Sequence, residues 1–231
     1  MKQIKAVIFD MDGVISNTVH LHYIVNEKVA NHVGVSFNEE WNQKLQGLSR
    51  RATVEAIVEK SGESVTEDEL EQLCELKKDQ YIELINELTS EDAQPGIRSF
   101  IEELKKRSVK MVVASASQNA VRVLARLNLL DYFDGVVDVT KLRRGKPDPE
   151  IFLKAAEMIN VLPSQCVAIE DGEAGLTGIL QTEMFSVGVG SETSLRRADL
   201  TLSTTKELTV FTLEEALNER DKTISSDCER R

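Results

Sequence analysis

Apolar residues in this chain change their spacing twice. Residues 6–9, Ala-Val-Ile-Phe, form a short unbroken apolar run. Such a run suits a strand buried on both faces of a parallel sheet. After Asp12 the period becomes helical. Leu21, Ile24, Val25, Val29 and Val33 fall on one stripe, and Gly34 is a stop signal. Asn38 is placed to cap a short helix ending near Leu45, and Ser49 to cap another with Val54, Ile57 and Val58 facing inward. Thr66-Glu-Asp-Glu69 has the form of a capping box. The helix it opens carries Leu70, Leu73, Leu76, Ile82, Ile85 and Leu88. No strand pattern occurs from about residue 18 to residue 90.

Past a polar break at 90–95 the pattern alternates. A helix is expected at 97–106, a strand at 109–114, and a helix holding Val121, Leu124 and Leu127. A short strand at 135–137 precedes Asp148-Pro149, which reads as an N-cap followed by proline at the first helical position. Strands at 166–169 and 185–189 flank a helix through Ile179. Residues 200–202 form a candidate edge strand, and 213–217 a closing helix. The polar stretch from Glu219 to Arg231 is expected to fray. Alternating strands and helices imply an α/β class: a doubly wound, Rossmann-like parallel sheet with an all-helical domain inserted after the first strand. The expected division is a core of residues 1–16 and 92–220, a helical cap of 17–91, and a flexible tail at 221–231. An insertion leaving from a strand's carboxyl end lies over that edge and can act as a lid.

Composition narrows the function. The 231 residues are 41% hydrophobic and 29% charged, which is globular rather than disordered. A formal net charge of −11 argues against nucleic acid and anionic membranes as partners. Cys74, Cys166 and Cys228 are odd in number and widely spaced, which fits reduced thiols in a cytoplasm better than a disulfide frame or a zinc site. Nothing in the chain demands an oligomer, so a monomer is expected.

The chemistry gathers at strand ends. The first strand ends in Asp10-Met-Asp12-Gly13, and others lead to Ser115, Lys146-Pro147 and Glu170-Asp171. Read singly, each has an ordinary account as turn residue, helix cap or solvated charge. An acidic group concentrated at one edge would repel itself. It makes sense as a magnesium site, because Mg²⁺ takes oxygen ligands and shares them with phosphate. Carboxylates, a metal, a lysine and a hydroxyl together equip an edge for phosphoryl transfer.

These four stretches resemble the motifs of the haloacid dehalogenase-like superfamily, and the helical insertion resembles its helical-cap subclass. Apart from the tail, the chain is similar to the β-phosphoglucomutase family. The likeness runs through Asp10-x-Asp12-Gly-Val-Ile with Thr18 and His22, Gly47-Leu48-Ser49-Arg50, Lys77, Ser115-Ala116-Ser117-x-Asn119, and 145–152. The resemblance implies isomerisation of β-D-glucose 1-phosphate and glucose 6-phosphate through an aspartyl phosphate and a sugar bisphosphate. A sugar-phosphate phosphatase is the alternative. It implies Asp10 as nucleophile and Asp12 as general acid/base. The metal positions implied are Asp10, the backbone carbonyl of Asp12, Glu170 and Asp171. Ser115 and Lys146 would hold the transferring phosphoryl, and Arg50, Ser117 and Asn119 the distal phosphate. His22 and Lys77 would lie near the sugar, Thr18 at a hinge, and the turn 47–50 would read substrate. From spacing alone, His22 is more simply a structural histidine, and Arg50 and Lys77 solvated helix residues. Two departures bear on the sugar more than on phosphorus. Asn26 stands where these mutases commonly carry tryptophan, and Ser16-Asn17 where a Thr-Asp pair is usual.

Overall fold

The computed structural model describes residues 4–62 and 64–228. Six parallel strands are β1 (Ala6–Phe9), β2 (Lys110–Val113), β3 (Gly135–Val136), β4 (Cys166–Glu170), β5 (Phe185–Val189) and β6 (Leu200–Leu202). Their order in the sheet is β3-β2-β1-β4-β5-β6. Chain order runs outward from β1 to β3 on one side and from β4 to β6 on the other. The reversal between β1 and β4 is the topological switch point at which open α/β sheets bind ligands. The register pairs Phe9 with Ile169, so Asp10 and Glu170 are the next residues on adjacent strands.

The period-2 alternation of strands sorts the core into two layers. Val7, Phe9, Met111, Val113, Val167, Ile169, Phe185 and Val187 share one cluster with α5 (Ile97–Lys106), α6 (Ala120–Arg126) and α9 (Val210–Cys228). Ala6, Ile8, Val112, Ala114 and Ala168 share the other with α7 (Glu150–Met158), beside which α8 (Glu173–Ile179) also packs. Both faces are covered, which is why β1, β4 and β5 are buried at every residue.

Between β1 and β2 lie α1 (Val19–His32), α2 (Glu39–Lys44), α3 (Arg50–Ser61) and α4 (Glu67–Asn86). The expected caps form: Asn38 accepts from the Trp41 N–H, Ser49 from Ala52, and Thr66 and Glu69 exchange a capping box. These helices have a core of their own, built from Val29, Ala30, Val54, Ile57, Leu70 and Leu73. Two of them also reach down. Leu21 and Val25 of α1, with Tyr81 and Ile85 of α4, belong to the cluster under the sheet. The chain leaves the sheet domain and returns side by side: Asn17 N donates to Asp92 O at 2.7 Å and Gln94 N to Ile15 O at 2.8 Å.

Three details differ from the sequence pattern. Pro149, not Asp148, occupies the N-cap position of α7, while the Asp148 side chain accepts from the Glu150 N–H at 3.0 Å. Leu124 and Leu127 are buried as expected, but Val121 is exposed, because the inward stripe at helical spacing runs through Ala120, Val123, Leu124 and Leu127. The stretch expected to fray from residue 219 is helix as far as Cys228. It lacks glycine and proline, and its root is fixed by buried Leu213 and Leu217 and by the Arg220–Asp199 ion pair at 3.3 Å. Residues 229–231 of the expected tail lie outside the described residues.

Candidate active site

The carboxyl edge at the β1/β4 junction converges as the strand ends imply. Asp10 still follows the ladder, its N–H donating to Ile169 O at 2.9 Å. Its carboxylate projects beyond the last apolar pair. One ligand oxygen each of Asp10, Glu170 and Asp171 lies within 4.8 Å of the others. Lys146 bonds both Asp10 and Glu170, and its side chain is fully buried. The other oxygen of Glu170 accepts from the N–H groups of Asp171 and Gly172, both at 3.0 Å.

Two glycines make room for this cluster. A Cβ on Gly13 would fall 1.9 Å from Asp171 Oδ2, and one on Gly175 would fall 1.7 Å from Glu170 Oε1. Gly13 also has φ +87°, which side-chain-bearing residues rarely adopt.

Burial, and then the Glu170 charge, push the Asp10 carboxyl well above the usual range against the pull of Lys146. Burial and Glu170 do the same to Asp171. Burial alone would discharge Lys146, but the opposing charges of Asp10 and Glu170 outweigh it and raise its pKa. Three carboxylates therefore share one ammonium. An all-oxygen donor set with excess negative charge fits a hard divalent cation.

Asp12 is two residues from Asp10 but serves another environment. Its carboxylate is outside the cluster and accepts from Thr18 Oγ1, approaches His22 Nε2 at 3.3 Å, and accepts from Tyr81 at 3.4 Å. Burial raises its pKa, yet the His22 charge and hydrogen bond with the Thr18 bond outweigh that, and the net shift is downward. His22 is stacked on Tyr81, ring centroids 4.4 Å apart. The histidine, expected to be structural on spacing alone, is thus joined to an active-edge carboxylate.

Between the edge and the helical block lies a cavity of about 320 Å³. Asp10, Asp12, His22, Gly47, Leu48, Ser49, Arg50, Lys77, Ala116, Ser117, Asn119 and Lys146 border it. Thr18 and Ser115 are buried just behind the lining. Ser115 Oγ accepts from the Ser117 N–H, and Ser117 Oγ from Asn119, both at 3.1 Å, which fixes this loop after β2. Arg50, at the start of α3, reaches across the cleft to Gln118 at 3.3 Å. Lys77 is not solvated: it is 6% exposed and has no hydrogen bond or ion pair among the described residues. Burial, then the neighbouring Arg50 charge, bring its pKa down to about 7.

Three lining groups, Tyr81, Gln46 and Asn42, had no place in the sequence reading, and a fourth, Asn26, stood there only as a departure from the usual tryptophan. Tyr81 lies one turn after Lys77 on α4, so helical spacing from Lys77 was the signal that could have found it. Gln46 donates to Asp171 Oδ2 at 3.2 Å, joining the helical block to the acidic edge. Asn26 and Asn42 bond one another in the wall. Nothing local distinguishes these three from surface amides.

Comparison with known proteins places the chain among relatives of known kind. A model of haloacid dehalogenase-like hydrolases matches residues 4–181. The chain is 42% identical to a β-phosphoglucomutase of Bacillus subtilis over 91% of its own length and 94% of that protein's. It is 32% identical to a phosphorylated carbohydrates phosphatase of Thermotoga maritima, over 74% of this chain and 78% of that one. The crystal structure of a β-phosphoglucomutase from Clostridium difficile superposes with a TM-score of 0.90 at 40% identity, covering 94% of this chain and 99% of that one.

Proposed function

Because the chain belongs to the haloacid dehalogenase-like hydrolase family, we propose that its acidic edge transfers a phosphoryl group through Asp10, and that the protein is a phosphosugar mutase. The reaction is interconversion of β-D-glucose 1-phosphate and glucose 6-phosphate by way of a sugar bisphosphate. The observation that carries this reading is the split between the two aspartates. Asp10 faces Lys146 and the acidic cluster, whereas Asp12 is held toward the helical block by Thr18, His22 and Tyr81. One carboxylate is set to take phosphorus, the other to handle a proton on a bound hydroxyl.

In the forward half-reaction, a sugar hydroxyl attacks the phosphorylated Asp10. Asp12, ionised because its partners favour the charged form, takes the hydroxyl proton as the new O–P bond forms and the Asp10 acyl phosphate bond breaks. In the second half-reaction Asp10 attacks the other phosphate of the bisphosphate. Asp12 then returns the proton to the leaving sugar oxygen. Lys146 and Ser115 steady the phosphoryl oxygens, and Lys146 keeps Asp10 compatible with ionisation despite its burial. Asp10, Glu170, Asp171 and the backbone carbonyl of Asp12 would hold Mg²⁺. When bound, the ion supplies charge neutralisation for a phosphoryl group in flight.

A mutase also needs a grip on the phosphate that is not reacting. Arg50 opposite Ser117 and Asn119 offers it, with the unpaired Lys77 nearby. We assign residues 17–91 as the cap and the paired crossings at 15–17 and 92–94 as the hinge. Closure would exclude water, the competing acceptor for the aspartyl phosphate.

The test is a coupled assay for glucose 6-phosphate from β-glucose 1-phosphate with Mg²⁺ and a catalytic amount of sugar bisphosphate. Primer-dependent product is expected. Inorganic phosphate as the only product would overturn the mutase reading in favour of a sugar-phosphate phosphatase, the kind of enzyme the Thermotoga relative is named for.

A further inference from the structure

Two asparagines meet on the cavity wall, away from the reacting carboxylates. Asn26 lies on α1, one turn beyond His22, so the two side chains share a helix face. Asn42 lies on α2. Asn26 Nδ2 donates to Asn42 Oδ1 at 2.9 Å. Asn26 is 3% exposed and Asn42 4%, and both border the cavity. The remaining acceptor, Asn26 Oδ1, is closed to solvent and has no hydrogen-bond partner.

Folding alone does not ask for this arrangement. The other inward residues of α1 are Leu21, Val25, Val29 and Ala30, and an aliphatic side chain at position 26 would continue their stripe. An amide acceptor buried without a partner costs stability, and such groups are uncommon in native structures. A group that arrives from the cavity can satisfy it. Its position suits the middle of a bound ligand. One turn before it on the same helix, His22 lies beside Asp12, and α2 leads into the Gly47–Arg50 turn. Between a reacting end and a distal phosphate, a phosphosugar presents a ring with hydroxyl groups.

We infer that Asn26, anchored by Asn42, is a specificity-determining residue whose Oδ1 accepts a hydrogen bond from a ring hydroxyl of the bound sugar phosphate. This inference rests on the phosphosugar reading of the cavity. A small adjustment of the wall admits the hydroxyl, and the dry surroundings of Oδ1 then make a missing hydroxyl expensive. Asn42 is a positioning residue: it fixes the amide plane of Asn26 and does not need to touch the ligand.

The experiment compares kcat/KM for β-glucose 1-phosphate and its 2-, 3- and 4-deoxy analogues in the wild type, in Asn26→Leu and in the double variant Asn26→Leu/Asn42→Leu. The wild type is expected to reject one deoxy analogue by roughly 10-fold or more relative to the others. Asn26→Leu should lose most of that discrimination for that analogue alone. The double variant should do the same and melt no lower than the wild type, because it removes both halves of the amide pair together. It supplies the reading should the single variant fail to fold. An equal loss across the whole set, retained discrimination, or a double variant that melts well below the wild type would each overturn the inference. If the protein releases phosphate instead of isomerising, the same ratios are read from phosphate release, so failure of the mutase reading leaves this test intact. A wild type inactive on every member of the set removes both.

Discussion

The two walls of the cavity are built on opposite principles. On the sheet side the charges are tied down: Lys146 lies against Asp10 and Glu170, Glu170 spends its other oxygen on two backbone N–H groups, and Asp171 accepts from Gln46. On the helical side, among the described residues, Lys77 borders the cavity with no hydrogen bond or ion pair, and Asn26 Oδ1 is closed to solvent with no donor. The sheet can pre-pair its groups because parallel register holds adjacent strand tips side by side. The helical block rests on a separate apolar core and meets the edge through a few contacts, Gln46 to Asp171 among them. On the proposed function, reaction chemistry falls to the paired wall and substrate recognition to the wall with unmet hydrogen-bonding capacity.

Breaking the paired wall should have the largest effect. Asp10→Asn removes the nucleophile with little change of shape, and turnover should fall on the order of 10⁴-fold or more. Single-turnover labelling with bisphosphate should find no acyl phosphate. Label retained on the variant chain would move the nucleophile elsewhere. Lys146→Met leaves Asp10 and Glu170 buried without their cation. Stability in urea without divalent ions should drop by about 3–5 kcal/mol, and kcat/KM on the order of 10³-fold. A variant as stable as the wild type would contradict the pairing described here.

The other wall should respond through binding. Arg50→Ala is expected to raise KM for β-glucose 1-phosphate roughly 10- to 100-fold and to leave the fold intact, since among the described residues Arg50 is bonded only to Gln118. Unchanged KM would deny Arg50 the distal phosphate.

Lys77 acts on stability rather than on turnover, and the size of its effect depends on pH. An unfolded lysine titrates near about 10.4, while folded Lys77 titrates at about 7. Below pH 7 both states are charged, so the burial penalty is complete. Between the two values only the unfolded chain holds the proton, so stability rises with pH, by at most about 1.4 kcal/mol per unit. Above about pH 10.4 the penalty is gone. Lys77→Met should therefore be most stabilised over the wild type below pH 7, with the gap closing as pH rises. A gap that stays flat across denaturation curves at several pH values would show that Lys77 is not a buried, unpaired ammonium.

Much of the paired wall could be read in advance. Asp10, Ser115, Lys146 and Glu170 each follow an apolar or turn signal at a recognisable strand end or helix start, so their order in sequence predicts one edge. The helix caps at Asn38, Ser49 and Thr66 were equally local, because a cap involves residues only two or three positions apart. The helical wall was legible only by resemblance. Lys77 looks like any solvated lysine until α1, α3 and α4 enclose it, and His22 looks structural until Asp12 is placed beside it. Tyr81 could be reached only through its spacing from Lys77, Asn26 stood out only against the resemblance, and Gln46 and Asn42 carried no signal of their own.

The sequence by itself determined the element types, the α/β class, the place of the helical insertion and the acidic strand tips, because these follow from periodicity and from chemistry within a few residues. Only the tertiary structure decided which groups are left unpaired. That depends on surfaces from distant segments closing over a side chain and removing its water, and no local pattern records which segments those will be.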